Sequence, residues 1–318
     1  MVGHLFDAPP DDLEFIAHRV VETPIRSSPA LDAWIGRTIH IKDETVQRSG
    51  SFKFRGAVLG VRNAEQGVVA AGARNFPIAV GLAARALNKP ACLVIPHDAP
   101  AFKRAQAEDT GADIRVTERS DLADAALREA QRRGWRNLHA FESPEMIAGN
   151  FTLGLEIAAS IEKERAASDA VIVACGGGGL AAGVALALRS RSIDAAIYVV
   201  EPDTHQRYAR AREAGMPVRI NPTGDTICDA LQSRQIGTLA FELLEQSNVL
   251  ICAVGDELVR KASRLLRETC DIWVEPSGAL AMAAVVGGAI SRDYDRLWVI
   301  ACAGNTPPHD GECWQGRP

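Results

Sequence analysis

The amino-acid sequence predicts an α/β protein of two lobes, each a mostly parallel, twisted sheet flanked by helices. Three observations carry that expectation. Short, nearly continuous apolar runs such as Ala170-Val171-Ile172-Val173-Ala174 recur along the chain. Runs of this kind belong to strands buried on both faces, not to strands with one wet face. Stretches with apolar residues at helical spacing separate them, as in strand–helix–strand units. The run 170–175 ends abruptly in Gly176-Gly177-Gly178-Gly179, a strand-to-helix turn in which missing Cβ atoms bring backbone N–H groups together.

Taken in order, residues 1–36 carry a helix pattern through Leu13, Ile16, Ala17 and Val20, followed by Pro24 and Pro29. Thr38-Ile39-His40-Ile41-Lys42-Asp43-Glu44 reads as a strand and Arg48-Ser49-Gly50 as a polar turn. Helical spacing resumes with Phe54, Ala57, Val58 and Val61. Strands are expected at 68–72, 91–95, 113–116 and 137–140, with helices near 76–88, 101–109 and 121–133 between them. A long helix from about 145 to 164 leads to a second series, with strands at 170–175, 196–200, 249–254, 272–274 and 297–302. Two such series imply a large domain of residues 1–65 plus 145–318 and a small α/β domain, 66–144, inserted into it.

Composition narrows the function. The chain has 318 residues, 47% of them apolar, and a net charge of -5, which argues against nucleic acid or an anionic membrane as a partner. No apolar run reaches transmembrane length, and the start (His4, Asp7, Asp11, Asp12) lacks the basic and apolar pattern of a signal peptide. The seven cysteines form no CxxC pair and no zinc spacing, as expected of reduced thiols in a cytoplasmic protein. The chain ends soon after Asn305, so no appended regulatory domain is expected.

The candidate chemistry centres on Ser51-Phe52-Lys53-Phe54-Arg55-Gly56. Lys53 falls at a helix start, where the dipole disfavours an ammonium, and between two Phe residues. Such a lysine is either a Schiff-base nucleophile of lowered pKa or a side chain whose stem packs on the rings while its head reaches water. The four glycines at 176–179 open a helix, a cradle for a dianionic phosphate; no Gly-Lys-Ser/Thr follows, which excludes a Walker A loop. The bland alternative is a glycine turn for close packing. Asn75 opens a helix after Ala71-Gly72-Ala73-Arg74, where Asn is a common N-cap. Cys302 ends the strand-like Trp298-Val299-Ile300-Ala301.

In this order and at these separations, Ser-Phe-Lys-x-Arg-Gly, the Asn75 turn, the four-glycine loop and Cys302-Ala303-Gly304-Asn305 resemble the pyridoxal-phosphate enzymes of fold type II, the tryptophan-synthase-β-like group. The similarity is to the serine/threonine dehydratase and serine racemase branch, and spans roughly Pro24 to Asn305. The cysteine-synthase branch, with Gly-Ser-Val-Lys-Asp, fits less well. The resemblance implies that Lys53 holds pyridoxal 5'-phosphate as a Schiff base and serves as the Cα base. It also implies that Gly176, Gly177, Gly178, Gly179 and Leu180 hold its phosphate, that Asn75 bonds its phenolate oxygen, and that Phe52 lies beside it. Cys302 would face its pyridine nitrogen where the family usually has Ser or Thr, and a thiol, being a weak donor, would leave that nitrogen unprotonated. The implied reaction is β-elimination from a β-hydroxy amino acid to a 2-oxo acid and ammonia. A plain serine/threonine dehydratase is the alternative and a racemase a more distant one. A catalytically dead homologue is disfavoured by the retained Lys53, Asn75 and glycine loop. The family also implies a homodimer.

Departures from the family pattern point to the substrate. Gly72-Ala73-Arg74-Asn75-Phe76 stands where Ser-Ser-Gly-Asn-His usually surrounds the substrate carboxylate. Ala73 removes the serine that racemases use as acid/base. Arg74 is either a carboxylate contact or solvent-facing. Phe76, Phe141 and Phe151 replace polar residues or glycine, which implies a pocket for a greasy or aromatic β-substituent, or else core packing. Ser233 falls at a position sometimes in contact with substrate. The family's divalent-cation site is broken: Glu201 is present, but Arg207 stands at the second carboxylate, either in place of the cation's charge or as a plain surface residue. No metal is expected. Glu275 matches an acid behind the cofactor.

Overall fold

Two sheets organise the chain in the computed structural model, which describes residues 9–164 and 167–306. The first stretch gives α1 (Pro10–Ala17), β1 (Ile25–Arg26), α2 (Pro29–Ile35), β2 (Thr38–Asp43) and α3 (Lys53–Arg62). Next come β3 (Val68–Ala71), α4 (Asn75–Ala86), β4 (Ala91–Pro96), α5 (Ala101–Glu108), β5 (Asp113–Thr117), α6 (Leu122–Arg133) and β6 (Arg136–Leu138). The rest is α7 (Pro144–Lys163), β7 (Asp169–Ala174), α8 (Gly179–Ser190), β8 (Ala195–Pro202), α9 (Arg207–Ala214), α10 (Thr238–Gln246), β9 (Leu250–Val254), α11 (Asp256–Cys270), α12 (Pro276–Val286) and β10 (Arg296–Ala301).

The larger sheet has the order β1-β2-β10-β7-β8-β9, and the smaller β5-β4-β3-β6. Every pairing is parallel except β1 against β2. The central strands β7 and β10 are buried throughout, because helices cover both faces. A separate core under the smaller sheet also takes in Ile16 of α1, Phe54 and Val58 of α3, and Met146 of α7. Helix α3 therefore packs into the smaller core, while Phe52, the residue before it, is tied to the end of β10 in the larger sheet.

Two features hold the start of α3. Gly149 of α7 lies so close to α3 that a Cβ there would stand 2.2 Å from the Gly56 nitrogen. Just after Lys53, the fully buried Arg55 is clamped between Glu44 and Glu156, at 2.8 Å and 2.6 Å. Removing one member of such a cluster strands a buried charge, at about 3–5 kcal/mol.

The expected strand at 272–274 is not one. After α11 ends at Cys270, capped by Asp271 with a φ of 52°, these residues form an irregular link to α12. Ile272 and Val274 are buried and Trp273 is exposed, so the apolar run reflects core contact and not sheet pairing. Strand β1 has only two residues, too short for a periodic signal. Among the described residues no helix is long and apolar enough to cross a membrane. Cys92, Cys175, Cys228, Cys252, Cys270 and Cys302 are free, and Cys313 lies outside the described residues.

Candidate active site

Between the sheets lies a cavity of about 730 Å³ whose walls include Lys53, Asn75, Cys302 and the glycine loop. Lys53 is fixed from behind. Ser51 bridges to Ala303, and the Phe52 N–H donates to the Cys302 carbonyl at 3.1 Å, tying the start of α3 to the end of β10. Lys53 Nζ donates to the Ala140 carbonyl at 2.9 Å and stands 4.8 Å from the centre of the Phe52 ring. Burial of the ammonium lowers its pKa to about 8. The lysine is thus a cavity group and not a solvated surface chain.

The glycine loop runs from the end of β7 into α8. Gly178 has a φ of 88°, a conformation L side chains avoid. At Gly177 a Cβ would stand 2.0 Å from the Phe141 ring. The bare loop, the N-terminus of a 12-residue helix and an amine of lowered pKa share one cavity. That combination fits a phosphate-bearing aldehyde cofactor: N–H dipoles for the dianion and an amine for the carbonyl carbon.

Around it stand the other expected residues. Leu180, Ala73, Arg74, Phe76, Phe141 and Ser233 all line the cavity. Cys302 donates its thiol to the Ser277 carbonyl at 3.5 Å, and burial, followed by the nearby Glu275, pushes its pKa up to about 12. It stays a neutral thiol. Asn75 opens α4, yet its side chain does not cap that helix. Its Nδ2 donates to Glu275 at 2.7 Å, and its Oδ1 accepts from Lys103 at 2.9 Å and Asn305 at 3.0 Å. Arg74 does not simply face solvent: it contacts the Asp229 carboxylate at 2.9 Å and donates to Gln232 at 2.9 Å. The buried Ser233 Oγ has no hydrogen-bond partner among the protein groups.

Phe141 meets His139 edge-on at 4.5 Å and lies over Gly177, whereas Phe76 is 5% exposed and reaches the cavity from the smaller core. Phe151 does not belong with them. Its place on α7 turns it to the core of the larger sheet, outside the cavity wall. Arg207 is not a surface residue. It is fully buried and donates to the carbonyls of Cys175 (3.0 Å) and Leu231 (2.7 Å), with Glu201 at 3.9 Å. Glu201 in turn accepts from the Tyr208 and Ala209 N–H groups at the start of α9. Among the described residues no group of three or more His, Cys, Asp and Glu side chains is arranged to hold a metal ion.

Sequence reasoning missed Lys103, His205, Arg119 and Arg234. Lys103 is 3% exposed and bonds Asn75, while the other three line the cavity. All sit in polar helices or loops whose pattern reads as solvated.

Comparison with known proteins agrees with this geometry. A family model described as pyridoxal-phosphate dependent enzyme matches residues 16–303. An L-threo-3-hydroxyaspartate ammonia-lyase of a Pseudomonas species is 33% identical over 302 residues, covering 92% of each chain. The phenylserine dehydratase of Ralstonia pickettii is 31% identical over 291 residues, covering 89% of this chain and 88% of its own. The structure of maize serine racemase superposes with a TM-score of 0.87 at 28% identity, over 98% of this chain and 97% of that one. With a family match over most of its length, the chain belongs to the pyridoxal-phosphate-dependent enzymes of fold type II, and its cofactor is pyridoxal phosphate.

Proposed function

We propose that this enzyme converts a β-hydroxy amino acid to a 2-oxo acid and ammonia by β-elimination, and that its substrate carries a bulky apolar β-substituent such as the phenyl group of phenylserine. The observation behind the reaction is the low-pKa Lys53 amine in the cavity that the glycine loop closes. Behind the substrate stands the apolar wall of Phe52, Phe76 and Phe141. The ammonia-lyase and dehydratase relatives support the same reaction.

Each residue then has a role. Lys53 carries the cofactor, and its amine accepts and holds the proton from the substrate Cα; a pKa near 8 suits that exchange close to neutral pH. When bound, pyridoxal phosphate supplies the electron sink for charge building at that carbon. Gly176, Gly177, Gly178, Gly179 and Leu180 bind the phosphate. Asn75 orients the cofactor ring, and Phe52 packs beside it. The neutral Cys302 thiol donates too weakly to protonate a ring nitrogen. Ala73 offers no hydroxyl on the face opposite Lys53, which favours elimination over racemisation. Arg74, close to the α4 N-terminus, and Ser233 meet the substrate's polar groups.

A second reading has its own observation. Arg119 and Arg234 line the same cavity, which favours an acidic β-substituent like that in the name of the Pseudomonas relative. Residues 66–144 form the small domain inserted between 1–65 and 145–318, and the enzyme acts as a cytoplasmic homodimer. The deciding experiment measures 2-oxo acid release from serine, threonine, threo- and erythro-phenylserine and 3-hydroxyaspartate. Phenylserine should be preferred. Preference for 3-hydroxyaspartate overturns the apolar pocket, and no 2-oxo acid from any of the five overturns the reaction.

A further inference from the structure

We propose that Lys103 is a positioning residue that locks the Asn75 side chain in one orientation toward the cofactor, through a closed ring of hydrogen bonds with Glu275. Lys103 Nζ donates to Glu275 Oε2 at 2.6 Å and to Asn75 Oδ1 at 2.9 Å, and Asn75 Nδ2 donates to Glu275 Oε1 at 2.7 Å. Both charged side chains are 2% exposed. Lys103 lies on α5 and Asn75 on α4, both beside the smaller sheet, whereas Glu275 precedes α12 beside the larger one. The ring therefore joins the two halves of the molecule at the cavity wall.

The ring makes the amide one-way. Asn75 Oδ1 faces two donors, Lys103 Nζ and Asn305 Nδ2. Asn305 is itself held, its Nδ2 also donating to the Ser49 carbonyl at 2.8 Å. A flipped amide would set its NH₂ against those two donors and its oxygen against the Glu275 carboxylate. The ring uses one Nδ2 proton of Asn75 and leaves the second for a cavity ligand. A buried ion pair alone adds little net stability, because desolvation offsets the attraction. What the ring supplies is orientation.

Charge explains the vulnerability. The groups facing the Glu275 carboxylate are Lys103 from α5, Asn75 from α4, Asp229 from the 229–231 turn and the Cys302 thiol at the end of β10. Burial raises the Glu275 pKa, Asp229 adds to the rise, and Lys103 is the largest force opposing it. Without Lys103 the force opposing that rise is gone, and Asn75 Oδ1 keeps only one of its two donors, Asn305 Nδ2, so the amide is held less firmly in its orientation.

This inference rests on the role of Asn75 at the cofactor, so Asn75→Ala is measured alongside. Cofactor-loaded Lys103→Met, Lys103→Met/Glu275→Gln and Asn75→Ala are compared with the parent in pyridoxal phosphate affinity, visible absorbance, melting temperature, kcat and KM. In Lys103→Met, affinity should fall about tenfold or more, the scale of one charge-assisted hydrogen bond. Its kcat should drop with KM little changed. Its visible band should carry a pH-dependent step moved to higher pH than any in the parent and absent from the double variant, which has no carboxylate to titrate. The double variant should melt near the parent yet still bind the cofactor weakly. A parent-like affinity and band in Lys103→Met overturns the proposal; if that variant does not fold, parent-like affinity in the double variant does so. If Asn75→Ala leaves band and affinity unchanged, the role of Asn75 falls and the proposal with it. If Asn75→Ala changes them and the Lys103 variants do not, the proposal alone falls.

Discussion

Replacing Lys53 by Met should stabilise the cofactor-free protein, and only on the acid side of a defined pH window. Folding takes the Lys53 ammonium out of water and offers it one carbonyl, that of Ala140. The drop in pKa from its usual 10.5 to about 8 converts, at about 1.4 kcal/mol per unit, to an upper limit of about 3.5 kcal/mol. Water reaching the cavity mouth screens the charge and leaves ~2 kcal/mol. Between the two pKa values the unfolded chain binds the proton and the folded one does not, so the parent gains stability as pH rises. The advantage of Lys53→Met is therefore complete below about pH 8, shrinks as pH climbs toward 10.5, and vanishes above it. Denaturant midpoints of cofactor-free parent and variant, compared pH by pH, isolate this from any packing gain, which does not vary with pH. A constant difference across the window, or a variant less stable throughout, would refute a buried, destabilised ammonium.

Other outcomes follow from the same geometry. Gly177→Ala should destabilise the cofactor-free protein by about 1–3 kcal/mol, because the new Cβ meets the Phe141 ring at 2.0 Å. Gly179→Ala, whose nearest new contact is 3.8 Å, should melt like the parent; equal effects at both sites would contradict the cradle. Phenylserine should exceed serine in kcat/KM by about tenfold or more, since burying the ring contributes about 1.5–3 kcal/mol, and Phe76→His should shrink the ratio. With the buried Arg207 holding three carbonyls, activity and melting temperature should survive exhaustive EDTA. A loss restored by magnesium would place a cation site elsewhere.

Much of the fold and the site was legible because it rests on local pattern. Buried parallel strands announce themselves as unbroken apolar runs, and β7 with its glycine turn is the clearest instance. Lys53 was legible from a helix start between two Phe residues. What failed depended on tertiary partners. Ile272 and Val274 are apolar because they pack into the core, yet residues 272–274 pair with no strand of either sheet. Lys103 sits in a polar helical stretch and is buried only because Glu275, distant in sequence, meets it. Arg207 is likewise held by the carbonyls of Cys175 and Leu231, both distant in sequence. The side chain of Asn75 serves this long-range network where local preference pointed to a cap. Phe151 packs on the core of the larger sheet, and no residue of its helix α7 lines the cavity, which only the neighbouring elements reveal.

The proposed anchor of the cofactor is a single lysine of lowered pKa, Lys53. Borohydride reduction of the cofactor-loaded enzyme, followed by digestion and peptide mapping, tests it most directly. Stable cofactor mass is expected on the peptide carrying Lys53, and none when Lys53 is replaced by Ala. Mass on the Lys103 peptide, or on any other lysine, would contradict it.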